Sequence, residues 1–162
     1  MEKDIKLEQV PYARDLNLIL NYLKLVFPDF PHKQCQDSTR LVTKVLGLRE
    51  MAGIFDELPY DNRIDWHAWN YDPQRKLFID LTARQFNENL PEILVVPKTD
   101  ERFVVKLVNT RNARSQGFNY CERSFLKDYY IYAKNPDRFY MDGRKKIIRD
   151  LTPVSLELAA SL

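Results

Sequence analysis

Between Ala13 and Phe27 the apolar residues Leu16, Ile19, Leu20, Leu23, Val26 and Phe27 recur at three- and four-residue steps, with Pro28 immediately after. That spacing predicts a helix stopped by the proline. The connector from Asp29 to Gln34 contains Pro31, a residue suited to a first helical position. A second helix is expected from near Cys35 to Leu46, with Gly47 as its stop. Its inward stripe would be Cys35, Ser38, Val42 and Val45, so the thiol faces the rest of the domain. The period then changes. Gly53-Ile54-Phe55, Trp66 to Tyr71, Lys76 to Thr82, Glu92 to Val96 and Arg102 to Val108 are rich in strand-favouring residues. A polar loop through Pro59 to Asn62 separates the first two. Glu122 to Lys134 returns to helical spacing before Asn135-Pro136, and Val154 to Leu162 reads as a last short helix after Pro153. Helices first, then a mostly antiparallel sheet, is an α+β pattern.

With 162 residues the chain suits one domain, taken as residues 1–162 without a linker or internal repeat. Within it, 1–30 is a helical lead-in, 31–90 carries the chemistry, and 91–162 supplies further strands and helices. The composition, 44% hydrophobic and 30% charged, is that of an ordinary soluble globular protein. A net charge of +2 argues against nucleic acid or an acidic membrane as the main partner. The short basic cluster at Arg144-Lys145-Lys146 reads as a solvated face. No stretch has the apolar length of a membrane span, and Met1 to Glu8 does not read as a secretory signal. Two distant cysteines give no disulfide framework. A cytoplasmic protein fits these features, as does an effector exported without a cleaved signal.

Chemistry concentrates in three places. If Asp72-Pro73-Gln74-Arg75 closes a hairpin, Tyr71 lies opposite Lys76 and His67 directly opposite Asp80. Cross-strand neighbours have Cβ atoms about 5 Å apart, which suits a carboxylate orienting an imidazole. Cys35 at a helix start adds a thiol in a region of partial positive charge. Nucleophile, base and orienter are then all present as Cys35, His67 and Asp80. The backbone N–H of Cys35 would serve an oxyanion hole, with Gln34 or Gln36 as second donor. Trp66 and Trp69, flanking His67, are the expected walls of a substrate cleft.

Each residue has a plainer reading when taken singly. A free cysteine is often a small buried hydrophobe, a histidine can be satisfied by a carbonyl, and an aspartate can cap a strand. Asp61 and Asp65 rival Asp80 as orienter, and His32 rivals His67 as base although it has no obvious carboxylate. Cys121 has no histidine nearby. Two histidines and two cysteines at unrelated spacings form no metal-ligand set, and 4 glycines in no cluster make no phosphate loop. No metal and no cofactor are expected.

The runs Cys35-Gln36-Asp37-Ser38-Thr39-Arg40-Leu41, Trp66-His67-Ala68-Trp69-Asn70 and Ile79-Asp80-Leu81-Thr82-Ala83-Arg84-Gln85-Phe86 resemble the bacterial transglutaminase-like branch of the papain-like cysteine protease superfamily. The resemblance covers residues 31–90. It implies a papain-like core of helices packed on an antiparallel sheet, with Cys35 as nucleophile, His67 as base and Asp80 as orienter. It also implies acyl-enzyme chemistry on a protein or peptide amide, by hydrolysis, glutamine deamidation or crosslinking. One departure is that Gln34 and Gln36 replace the family's usual small residues around the nucleophile. Two other readings stand beside this one. The first is a protein-binding module on a degenerate papain-like scaffold. The second is an arylamine-type acetyltransferase, a family of the same residue order but greater length and a different cysteine motif.

Overall fold

The computed structural model describes residues 4–55, 66–107, 122–141 and 148–150. They fall into two compact units, Met1–Phe118 and Asn119–Leu162. The first contains helices α1 (Ala13–Val26) and α2 (Cys35–Leu46). It also contains strands β1 (Arg49–Phe55), β2 (His67–Asp72), β3 (Leu77–Asp80), β4 (Leu94–Pro97) and β5 (Phe103–Leu107). All pairings are antiparallel, in the order β4-β3-β2-β1-β5. The second unit contains α3 (Glu122–Lys134) and an antiparallel pair, β6 (Phe139–Met141) and β7 (Ile148–Asp150). The architecture is α+β, as the pattern along the chain implies. The loop through Pro59 to Asn62 and the helix expected at Val154 to Leu162 lie outside the described residues.

Local signals set α2. Gly47 adopts φ 71°, the left-handed conformation that terminates helices, and its N–H donates to the Thr43 carbonyl at 2.9 Å. Asp37 in the first turn and Lys44 in the last complement the helix dipole. Ser38, Thr39, Leu41 and Val42 are buried, while Cys35 and Val45 are partly so. The inward stripe is thus as spaced, with its two ends half open. In α1, Leu16, Ile19, Leu20, Tyr22 and Leu23 are buried on one face.

Strand alternation divides the sheet into two surfaces. Met51 and Phe55 of β1, Trp69 of β2, Phe78 of β3, Leu94 and Val96 of β4 and Phe103 of β5 join Ala83 and Leu90 in one apolar cluster. Each fully buried large side chain there contributes roughly 1.5–3 kcal/mol. The other surface meets α2. Asn70, 2% exposed, donates its amide to the Thr39 carbonyl and to Thr43 Oγ1, each at 3.1 Å. These bonds tie α2 to the strand that begins with His67.

Gly53 sits opposite His67 because nothing larger fits. A Cβ there would fall 2.0 Å from the Val104 carbonyl oxygen and 3.0 Å from the Trp69 ring. The β1–β5 register shifts at this point, between Ala52 and Gly53.

The β2–β3 hairpin differs from the expected register. Asp72 ends β2, and residues 73–76 form the turn, with Lys76 in the left-handed region at φ 56°. Asp72 Oδ1 accepts the N–H groups of Gln74 and Arg75, at 3.0 and 3.1 Å. Moving the turn one residue along pairs Tyr71 with Phe78 and Asn70 with Ile79. The change in register is two residues, so every side chain keeps its expected face.

Candidate active site

His67 opens β2 and Asp80 closes β3. Continuing the observed register sets Asp80 across from Trp69, so His67 is its diagonal neighbour on the same face. Diagonal pairs remain within reach of long side chains. The His67 Nε2 to Asp80 Oδ2 distance is 2.5 Å, and both side chains are essentially inaccessible to solvent. The second carboxylate oxygen, Oδ1, accepts the Thr82 backbone N–H at 2.8 Å and the Thr82 hydroxyl at 3.1 Å. Thr82 therefore fixes the rotation of the carboxylate, and the carboxylate fixes the ring.

Aromatic side chains complete the enclosure. Phe86 meets the His67 ring edge-on at 4.8 Å, Trp69 stacks beneath it at 5.9 Å, and Phe55 lies at 5.9 Å. Burial by itself would drive the proton off the imidazole. The charge and hydrogen bond of Asp80, joined by the hydrogen bond and charge of Cys35, overturn that tendency and raise the pKa to about 9. The carboxylate and the sulfur thus both favour the protonated form of the ring.

Cys35 is a free, partly buried cysteine at the first position of α2. The leading N–H groups of a helix lack intrahelical acceptors, and the side chain of the N-cap residue Gln34 takes up none of them. Donors for a developing oxyanion are therefore at hand beside the sulfur. Gln34 Oε1 is buried without a hydrogen-bond partner. Gln36, one residue beyond the thiol, is half-buried.

The two tryptophans part company. Trp66 is 49% exposed just ahead of β2 and is available to a cleft. Trp69 is 1% exposed and belongs to the apolar cluster, so it backs the His67 ring from the core and does not form an open wall. Strand alternation gives the two rings opposite faces, which is why both cannot line one cleft. Among the rival residues, His32 is exposed in the connector before α2. Asp61, Asp65 and Cys121 lie outside the described residues. No group of three potential metal ligands occurs among the described residues. No described helix is long and apolar enough to cross a membrane.

Gln85 was not singled out by sequence reasoning, yet it is part of the site. Its Nε2 lies 3.3 Å from His67 Nδ1, the ring nitrogen that Asp80 leaves free. It occupies a single 3-10 turn, Ala83–Gln85, directly after the Asp80–Thr82 bonds. Its presence in the run that ends Gln85-Phe86 was the available signal. Position alone did not say which way the side chain turned.

No family model matches the chain, and neither a curated protein nor a solved structure matches it.

Proposed function

We propose that this protein is a thiol-dependent amide hydrolase or acyltransferase, with Cys35 as nucleophile, His67 as acid and base, and Asp80 as orienter. The observation that carries the reading is the buried His67–Asp80 pair, whose ring is also addressed by the helix-start thiol.

The chemistry follows from these groups. Proton transfer from the Cys35 thiol to the neutral form of His67 gives a thiolate–imidazolium pair, and the sulfur adds to the carbonyl carbon of an amide. The carbonyl oxygen becomes an oxyanion, received by backbone N–H groups at the start of α2. The carbon–nitrogen bond then breaks, and the departing amine takes the proton from the imidazolium. A thioester remains. Water, activated by the now neutral ring, adds to it and releases a carboxylic acid while the thiol regains its proton. Asp80 stabilises the cation formed in each half without itself accepting a proton.

The substrate class that suits this scheme is a protein or peptide amide, by hydrolysis or by deamidation of glutamine. Hydrolytic outcomes are favoured over crosslinking because they need only water as second substrate. The resemblance of the three sequence runs to transglutaminase-like enzymes of the papain-like superfamily points the same way, and the scheme requires no cofactor. The test is mass spectrometry of a peptide and protein panel incubated with wild-type and Cys35→Ser protein. Backbone cleavage, or a gain of about 1 Da at glutamine, should occur with wild type and vanish with the variant. Products formed equally by both would remove the thiol from the reaction.

A further inference from the structure

Both ring nitrogens of His67 are already met by a side chain. Nε2 is committed to Asp80, so Nδ1 alone is open for proton traffic, and the Gln85 amide stands 3.3 Å from it. A proton passing between Cys35 and the ring in the proposed mechanism must use that nitrogen too. An imidazole nitrogen has one lone pair when neutral and one N–H when protonated, so it cannot serve both partners fully. A side-chain amide suits either state of the ring. Its N–H donates to neutral Nδ1, and a half-turn about the terminal bond presents its oxygen to the Nδ1–H of the cation. In both states Gln85 and Cys35 compete.

We propose that Gln85 is a substrate-released latch on His67. Its amide occupies Nδ1 while the site is empty and lets go when a substrate amide offers it another partner, a carbonyl oxygen for its N–H or an N–H for its oxygen. The proton path from Cys35 to His67 then opens where an amide substrate is present. This inference rests on the reading of Cys35 and His67 as nucleophile and base, and it makes Gln85 a positioning residue for the pair. The titratable groups facing the ring among the described residues are Asp80 from β3 and Cys35 from α2. Gly53, Phe55, Trp69 and Phe86 bring no charge.

The test uses the intact protein and small thiol reagents. Methyl iodide alkylates thiols and has neither a carbonyl nor an N–H to draw the amide away. Gln85→Met keeps the length and apolar bulk of the side chain without the amide, and should react with it at Cys35 roughly three- to tenfold faster than wild type at pH 7, the worth of one neutral hydrogen bond. Gln85→Glu accepts from the imidazolium and never donates. It should react more slowly than wild type, and the His67 titration midpoint should move upward. Opposite signs in the two variants are the signature of competition at Nδ1. Rates that are unchanged, or that shift in the same direction in both, overturn the latch. Iodoacetamide carries a carbonyl, so the gap between wild type and Gln85→Met should narrow with it. An equal gap for both reagents overturns release by substrate. Should His67→Ala leave Cys35 reactivity untouched in otherwise wild-type protein, the failure belongs to the underlying reading and not to Gln85.

Discussion

Replacing Asp80 by asparagine removes one charge and reverses one hydrogen bond. Asp80 Oδ1 accepts from the Thr82 N–H and hydroxyl, at 2.8 and 3.1 Å, so the asparagine oxygen is drawn to that side. Its NH2 group is left facing Nε2, and the ring must become an acceptor there. The protonated ring loses the Asp80 charge and bond, which counter burial in the wild type and hold His67 at about 9. Burial then dominates, and the midpoint should fall to 6.5 or below. A drop of that size corresponds to about 3 kcal/mol for an inaccessible group. Nitrogen-15 NMR reads it directly, because His32 and His67 are the only histidines. Wild type should show one midpoint near 9, and Asp80→Asn should show none there and a neutral tautomer protonated at Nδ1. Stability gives a second reading. A pKa raised in the folded state adds stability that is complete below the unfolded value near 6.5 and is lost as pH rises through about 9. Between pH 6 and 9.5 the wild type should therefore lose about 3 kcal/mol more than Asp80→Asn in urea unfolding. Matching pH slopes, or a His67 midpoint that stays near 9 in the variant, would refute the electrostatic reasoning.

Other changes probe how the scaffold carries the site. Gly53→Ala sets a Cβ 2.0 Å from the Val104 carbonyl oxygen, a backbone atom that cannot swing aside, so a loss of roughly 1–3 kcal/mol or more is expected in thermal or urea unfolding. Asn70→Ala leaves the Thr39 carbonyl and the Thr43 hydroxyl without their shared donor between α2 and β2. It should cost about 1–3 kcal/mol, and Cys35 should lose part of its reactivity advantage as α2 loosens, measured by alkylation at fixed pH. Thr82→Val removes the hydroxyl bond to Asp80 but keeps the backbone one, so the His67 midpoint should move far less than in Asp80→Asn, by the same NMR titration.

Much of this arrangement is written locally. The span of α2 follows from an apolar stripe and a single glycine that tolerates positive φ, both readable within a dozen residues. The strands announce themselves through β-branched and aromatic runs. The hairpin register was misjudged by two residues because Asp72 serves β2 and caps the turn with its carboxylate, while Lys76 takes a left-handed conformation that favours glycine or asparagine. The pairing of His67 with Asp80 survived because an even shift preserves faces and leaves the two as diagonal neighbours. Trp69 was misplaced for the opposite reason: alternation tells which residues share a face, not which face closes over a core. Gln85 was legible only as a member of a run. Its amide finds Nδ1 because a 3-10 turn after Asp80 folds back on the ring, and no spacing rule encodes that turn.

The most direct measurement is the alkylation rate of Cys35 against that of Cys121 at neutral pH, in wild-type and His67→Ala protein, with modified sites assigned by mass spectrometry. A thiol poised beside an imidazolium should react much faster at Cys35, and His67→Ala should abolish the difference. Equal rates at both cysteines in the wild type, or a Cys35 advantage that survives loss of the imidazole, would contradict the account.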